Sequence, residues 1–325
     1  MKNRLVKTGE NILEDIIDFL YHTLFSPLIT VEQYQTKLFD IEQANLIQYL
    51  RVDNDDSFYS SELGLKKIFY DSPVFQVSKY GTADLVAAEN SYTAYQEFQK
   101  MLREDQLDIF LLGEFDDYRM LQLFNKFPFE NRDKTLRFAY NQDKSNVIRE
   151  QVETREVSQS VLQLGYYFPT RYFDEDYATL LVFNGLFGGF SHSRLFEELR
   201  EKEGLAYTIG SYFDIYTGLL NVYAGIDAEN QMKVLKLINK QLSHLKSGRF
   251  SETFLNRTKE LIKTNVVLSG DSPKATIERV YNDYHGIGSR GVDTLVKEVD
   301  NVCKADVVAY SKEIALQALY FLEGK

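Results

Sequence analysis

Ser193-Arg-Leu-Phe-Glu-Glu-Leu-Arg-Glu-Lys-Glu-Gly-Leu-Ala-Tyr207 is the most informative stretch of this chain. Leu195 and Leu199 recur at helical spacing among alternating charges, so the segment reads as a helix exposed on one side. Gly204 stops it, and Leu205-Ala-Tyr207 begins a strand. Arg200 falls in the last helical turn, where the helix dipole favours positive charge, and Tyr207 follows seven residues later. Just upstream, Asn184-Gly-Leu-Phe-Gly-Gly-Phe190 is glycine-rich but carries no phosphate-binding lysine, and reads as a tight bend between two helices.

On either side of this corner the periodicity predicts a strand at 159–168 and a helix at 174–187. Strands at 205–213 and Leu219–Ile226 are joined through Tyr216-Thr-Gly218, a hairpin signal. Helices follow at 230–245, 251–268 and 273–284, then two short helices and a last strand at 318–322. The N-terminal side predicts helices at 12–24, 31–50, 57–70 and 91–102, a short helical turn at 84–88, and a buried apolar strand at 107–112 closed by Gly113. Residues 126–150 are polar and irregular and make the best linker. The order of three helices, a glycine break, two short helices, an apolar strand and a glycine occurs twice, at about 8–113 and again at about 228–324. The second copy is preceded by about 80 residues of strands and helix and the first by seven, so the first copy lacks an opening half.

Composition narrows the function classes. The net charge of −11 argues against a nucleic-acid or anionic-membrane binder. The hydrophobic fraction of 44% with 23 Phe and 22 Tyr is enough for sizeable cores and excludes a disordered chain. Cys303 is the one cysteine, so no disulfide framework or cysteine-based zinc site forms within these residues. His22, His192, His244 and His285 are too far apart in sequence for one helix to present two imidazoles to a metal. There is no GxSxG elbow, P-loop or GxGxxG. No run approaches the length of a membrane span, and the start at Met1 leads into an amphipathic stretch. The expectation is an acidic, soluble, cytoplasmic protein.

The segments 184–190 and 193–207 together resemble the C-terminal-domain signature of the M16 family of peptidases, which includes insulinase, pitrilysin and the processing peptidases. The resemblance extends over nearly the whole chain, with residues 8–113 similar to the rear half of the family's N-terminal domain. It implies an α+β fold of two related domains, each a sheet with helices packed on one face, the first incomplete. The implied boundaries are 1–125 for the N-terminal part, 126–147 for the linker and 148–325 for the C-terminal domain. Active members hold zinc through an inverted HxxEH and a later Glu, the central Glu activating water. No HxxEH exists here. The family's distal pair of glutamates, seven residues apart, falls on 39–50, where Glu42 fits the first position and Tyr49, beside Gln48, stands at the zinc-ligand position. Neither Tyr nor Gln is a plausible replacement ligand.

The resemblance therefore implies no catalytic residue, no metal ligand and no cofactor of this chain's own, zinc being expected only in an active relative or partner. It leaves an Arg and a Tyr seven apart that contact substrate, matched by Arg200 and Tyr207. The implied function is a catalytically inactive subunit that binds extended peptide or unfolded polypeptide and acts with an active zinc peptidase. Two alternatives stay open: a scaffold subunit without a ligand, and a fragment of a longer zinc-dependent endopeptidase. A first domain without its front strands would expose a sheet edge and an apolar helix face, so homo- or hetero-association with another M16-type subunit is expected.

Overall fold

The computed structural model describes residues 12–325 except 133, 135, 137, 139, 173 and 289, and leaves the side chains of 53 and 54 undescribed. Its helices and strands are, in order, α1 (Ile12–Phe25), α2 (Thr36–Asp55), α3 (Ser57–Phe69), α4 (Ala83–Ala88), α5 (Ser91–Glu104), α6 (Asp117–Phe124), β1 (Arg149–Arg155), β2 (Ser160–Tyr167) and α7 (Tyr177–Asn184). They continue with β3 (Ala206–Asp214), β4 (Leu219–Ile226), α8 (Gln231–Lys246), α9 (Glu252–Gly270), α10 (Pro273–Tyr284), α11 (Val292–Asn301), α12 (Lys304–Glu313) and β5 (Ala315–Gly324). The chain divides into two compact units, and the division is not a single cut: 1–51 with 81–135 form one, 52–80 with 136–325 the other.

The larger unit is built on a five-stranded sheet in the order β1-β5-β2-β4-β3. β1 runs parallel to β5, and the other pairs are antiparallel. Alternation along the strands sorts the side chains onto two faces. Leu162, Leu164 and Tyr166 of β2, Val222 and Ala224 of β4, and Leu319 and Phe321 of β5 share one core with α7, α8, α9, α11 and α12. Val161, Ala318, Tyr320 and Leu322 point the other way, onto Leu65, Phe69 and Tyr70. The expected α+β architecture, a sheet with helices against it, is present, and α3 adds cover to the second face.

Two glycines let α3 approach the sheet closely. A Cβ on Gly64 would fall 2.3 Å from the Tyr320 ring, and one on Gly165 2.7 Å from Phe69. Polar groups complete the fit: Tyr70 and Thr217 hydroxyls lie 2.7 Å apart, and Gln163 Nε2 donates to Ser61 Oγ at 3.0 Å. The polar stretch expected as a linker is used in the same way. Gln142 Nε2 donates to the Phe69 carbonyl at 2.7 Å, and Gln317 Nε2 to the Ser145 carbonyl at 2.9 Å.

The smaller unit is helical among its described residues. Ile17, Met120, Leu123 and Phe127 form its core, with Tyr21, Phe25 and Phe129 around them. Gln43 ties α2 to the end of α4 through the Val86 and Glu89 carbonyls. α2 starts at Thr36 rather than 31, because Val31 and Glu32 adopt φ of 50° and 58°, a left-handed bend no α-helix can include. The strand expected at 107–112 is not among the described strands. Leu107, Ile109, Leu111 and Leu112 are exposed there rather than buried, because an apolar run buries itself only where another layer covers it.

Candidate functional site

Arg200 and Tyr207 bracket the corner where the helical segment 194–202 turns into β3. The last part of that segment, Phe196–Lys202, is π-helical, as is Gly185–Gly189 after α7. Such bulges re-aim side chains and recur at functional sites. Leu199 is fully buried in the core while Arg200 next to it is exposed. The Leu205 N–H bonds back to the Leu199 carbonyl at 2.9 Å across Gly204, whose φ of 62° suits a residue without a Cβ.

The Arg200 guanidinium lies over the Phe196 ring, 4.9 Å from its centre. Phe196 is thus a platform that sequence reading missed, although its i, i+4 relation to Arg200 was available. Tyr207 is 67% exposed and sits where the β3–β4 register shifts between Ala206 and Thr208. β3 is the last strand on its side of the sheet, so its outer edge carries unpaired main-chain groups among the described residues. Tyr207 is on this strand and Arg200 is in the helical turn before it, and both are exposed.

Behind the corner the packing is tight. Ser211 Oγ of β3 donates to Asn184 Oδ1 at 2.7 Å, and a Cβ on Gly188 would fall 2.9 Å from the Ser211 backbone nitrogen. His192 is buried, stacked on Phe190, with Nε2 2.9 Å from Thr258 Oγ1. Thr258 spends its own hydrogen on the Phe254 carbonyl, so Nε2 carries a proton and donates it to the Thr258 hydroxyl. Burial, and then the Arg257 charge, hold its pKa below the usual histidine value, Glu197 opposing weakly.

A histidine held neutral contributes stability that is fully present above its unfolded pKa of about 6.5 and is lost as pH falls through its lower folded value. The melting temperature should therefore drop between pH 7 and pH 5, and His192→Gln should flatten that part of the profile. Equal pH profiles for wild type and variant would refute it. His244, shifted downward by burial and by Arg194, Arg249 and Lys240, contributes to the slope in the same direction.

The zinc that the family resemblance implies does not fit these residues. The chain has no HxxEH, and the third ligand position holds Tyr49, a phenol. Among the described residues no three His, Cys, Asp or Glu side chains converge on one point. No helix of the described residues is long and apolar enough to cross a membrane.

Comparison with known proteins places the chain. Residues 94–262, just over half of it, match the family model described as the Peptidase M16 inactive domain. A curated relative, the "Probable inactive metalloprotease YmfF" of Bacillus subtilis, is 29% identical over 323 residues, covering 99% of this chain and 76% of the relative. The crystal structure of a conserved protein from Enterococcus faecalis superposes with a TM-score of 0.94 at 33% identity, over 100% of this chain and 77% of that one. A peptidase M16 inactive domain from Pseudomonas fluorescens shares the fold, with a TM-score of 0.77 at 15% identity over 98% of this chain and 76% of that one. The sequence signature, the sheet and the matched domain agree, and the chain belongs to the M16 peptidase family.

Proposed function

We propose that this protein is a non-catalytic M16 subunit that binds extended peptide by strand addition along the outer edge of β3 and acts beside a zinc-bearing M16 partner. The observation that carries the reading is the unpaired edge of β3, with Tyr207 exposed at the strand's bulge and Arg200 exposed in the turn that leads into the strand. An added strand takes most of its affinity from main-chain hydrogen bonds, and side chains at the edge orient it. Arg200 supplies a charge-assisted bond to a peptide carbonyl and the Tyr207 hydroxyl a neutral one. Cys303, the one thiol in these residues, forms no internal disulfide, which suits a cytoplasmic setting.

Titration calorimetry with a panel of unstructured peptides tests the site. A charge-assisted bond contributes about 1.5–3 kcal/mol, so Arg200→Ala should weaken binding about 10- to 150-fold. Tyr207→Phe removes about 0.5–1.5 kcal/mol and should have a several-fold smaller effect. Failure of wild type to bind any peptide, or unchanged affinity of a folded Arg200→Ala, would leave the scaffold reading in its place. Peptide hydrolysis by this chain alone, abolished by a chelator, would sink the non-catalytic reading.

A further inference from the structure

A cavity of about 1060 Å³ lies in the larger unit between the end of α7, α9, α10 and the start of α11. Its size is at the upper end of the range of small-molecule sites, and it has their composition, apolar walls with a few polar groups. Leu181, Phe190, Ile262 and Val266 supply the walls, and the π-helical step at Gly185–Gly189 forms one side.

The polar groups gather around Arg290. Its side chain is 10% exposed, its guanidinium lies 5.0 Å from the centre of the Tyr177 ring, and its Nε donates to Glu298 at 2.9 Å. Nη2 donates to the Asp174 carbonyl, while Nη1 is buried with no acceptor. Arg279 also lines the cavity and has no hydrogen-bond or ion-pair partner among the described residues. Burial pushes the Tyr177 hydroxyl up to about 12, so it remains a donor at neutral pH. Glu298 offsets one arginine, and Glu278 at the cavity is matched by Lys274 at 3.7 Å. One positive charge is left over beside an apolar space, in a chain whose net charge is −11.

We propose that this cavity binds a small amphipathic carboxylate, its apolar body among Phe190, Ile262 and Val266 and its single negative charge on Arg279 and Arg290. A planar carboxylate matches the guanidinium fork, and a monoanion matches the one uncompensated charge. A free aliphatic acid and the C-terminal residue of an apolar peptide share this chemistry. The site is separate from Arg200 and Tyr207 and does not depend on the peptide edge.

Calorimetry with decanoate, decanamide, and acetyl-Leu-Phe with free and amidated C-termini tests it. At least one acid should bind, and its amide should bind about tenfold more weakly or worse, as expected for loss of a charge-assisted bond. Tighter binding of decanoate or of the free peptide end identifies the source. Arg279→Ala should weaken the acid about tenfold and leave the amide unchanged, and Arg200→Ala should alter neither. Ala275→Trp, on the α10 wall, should abolish both. Three results overturn the proposal: no acid binding below millimolar concentration, amides binding as well as acids, or unchanged acid affinity in a folded Arg279→Ala.

Discussion

Phe69→Ala should destabilise the larger unit by about 3–5 kcal/mol, the cost of removing a buried aromatic ring and leaving its cavity. The ring is 2% exposed and fills the space over Gly165, where no side chain rises from β2. It also meets Tyr70 edge to face, with centroids 5.0 Å apart. The Tyr70 hydroxyl faces Thr217, so the cavity would loosen the polar contact as well. Urea unfolding followed by the sheet's circular dichroism reads the effect. A loss below about 1 kcal/mol would mean that α3 only rests on the sheet and that 52–80 is not part of this unit.

Leu199→Ala comes next, at about 2–5 kcal/mol. Leu199 is fully buried beneath the π-helical turn, and its carbonyl takes the Leu205 N–H that closes the corner. Arg200, one residue on, should behave oppositely. Its side chain is exposed, so Arg200→Ala should change stability by less than about 0.5 kcal/mol while it weakens peptide binding. Circular dichroism melts and urea titrations on both variants separate the two roles. Equal destabilisation by both would make Arg200 a packing residue and remove the case for a peptide contact.

Much of the fold was legible because local chemistry and burial agree. The hairpin of β3 and β4 lies within a residue of its expected limits, and Gly218, with φ of 75°, is the turn residue that the hairpin required. α5 starts after Asn90, whose side chain accepts from the Tyr92 and Thr93 N–H groups. β1 was hidden, since Arg149-Glu-Gln-Val-Glu-Thr-Arg155 is largely polar and mostly exposed, as an edge strand allows. The π-helical turns were hidden too, because a one-residue widening leaves the apolar spacing nearly intact. The placement of α3 has no local signal at all: its apolar face shows that it packs, not on which sheet.

For the site, the Arg200–Tyr207 spacing was visible only through the family resemblance. Phe196, which supports Arg200, and the cavity around Arg290 were not seen. Most of the cavity residues come from 172–190, 262–269 and 275–295, and the one recognisable motif among these segments, the glycine-rich 184–190, reads as a bend and gives no sign of the arginines opposite it.

The pairing of Gly64 with Tyr320 also sets a schedule for biosynthesis. α3 leaves the ribosome roughly 250 residues before the strand it must lie on, a wait of about 10–50 s at about 5–20 residues per second. Throughout that interval Leu65, Phe69 and Tyr70 lack the β5 part of their cover, Ala318, Tyr320 and Leu322, and Val161 of β2 and Leu219 of β4 are available only for its later part. The nascent chain therefore carries an adhesive apolar helix until β5 emerges, and the larger unit folds only after its last strand is made. Slowed translation of the codons between α3 and β5 should raise aggregation more than slowing over the codons before α3, and a holding chaperone should suppress it.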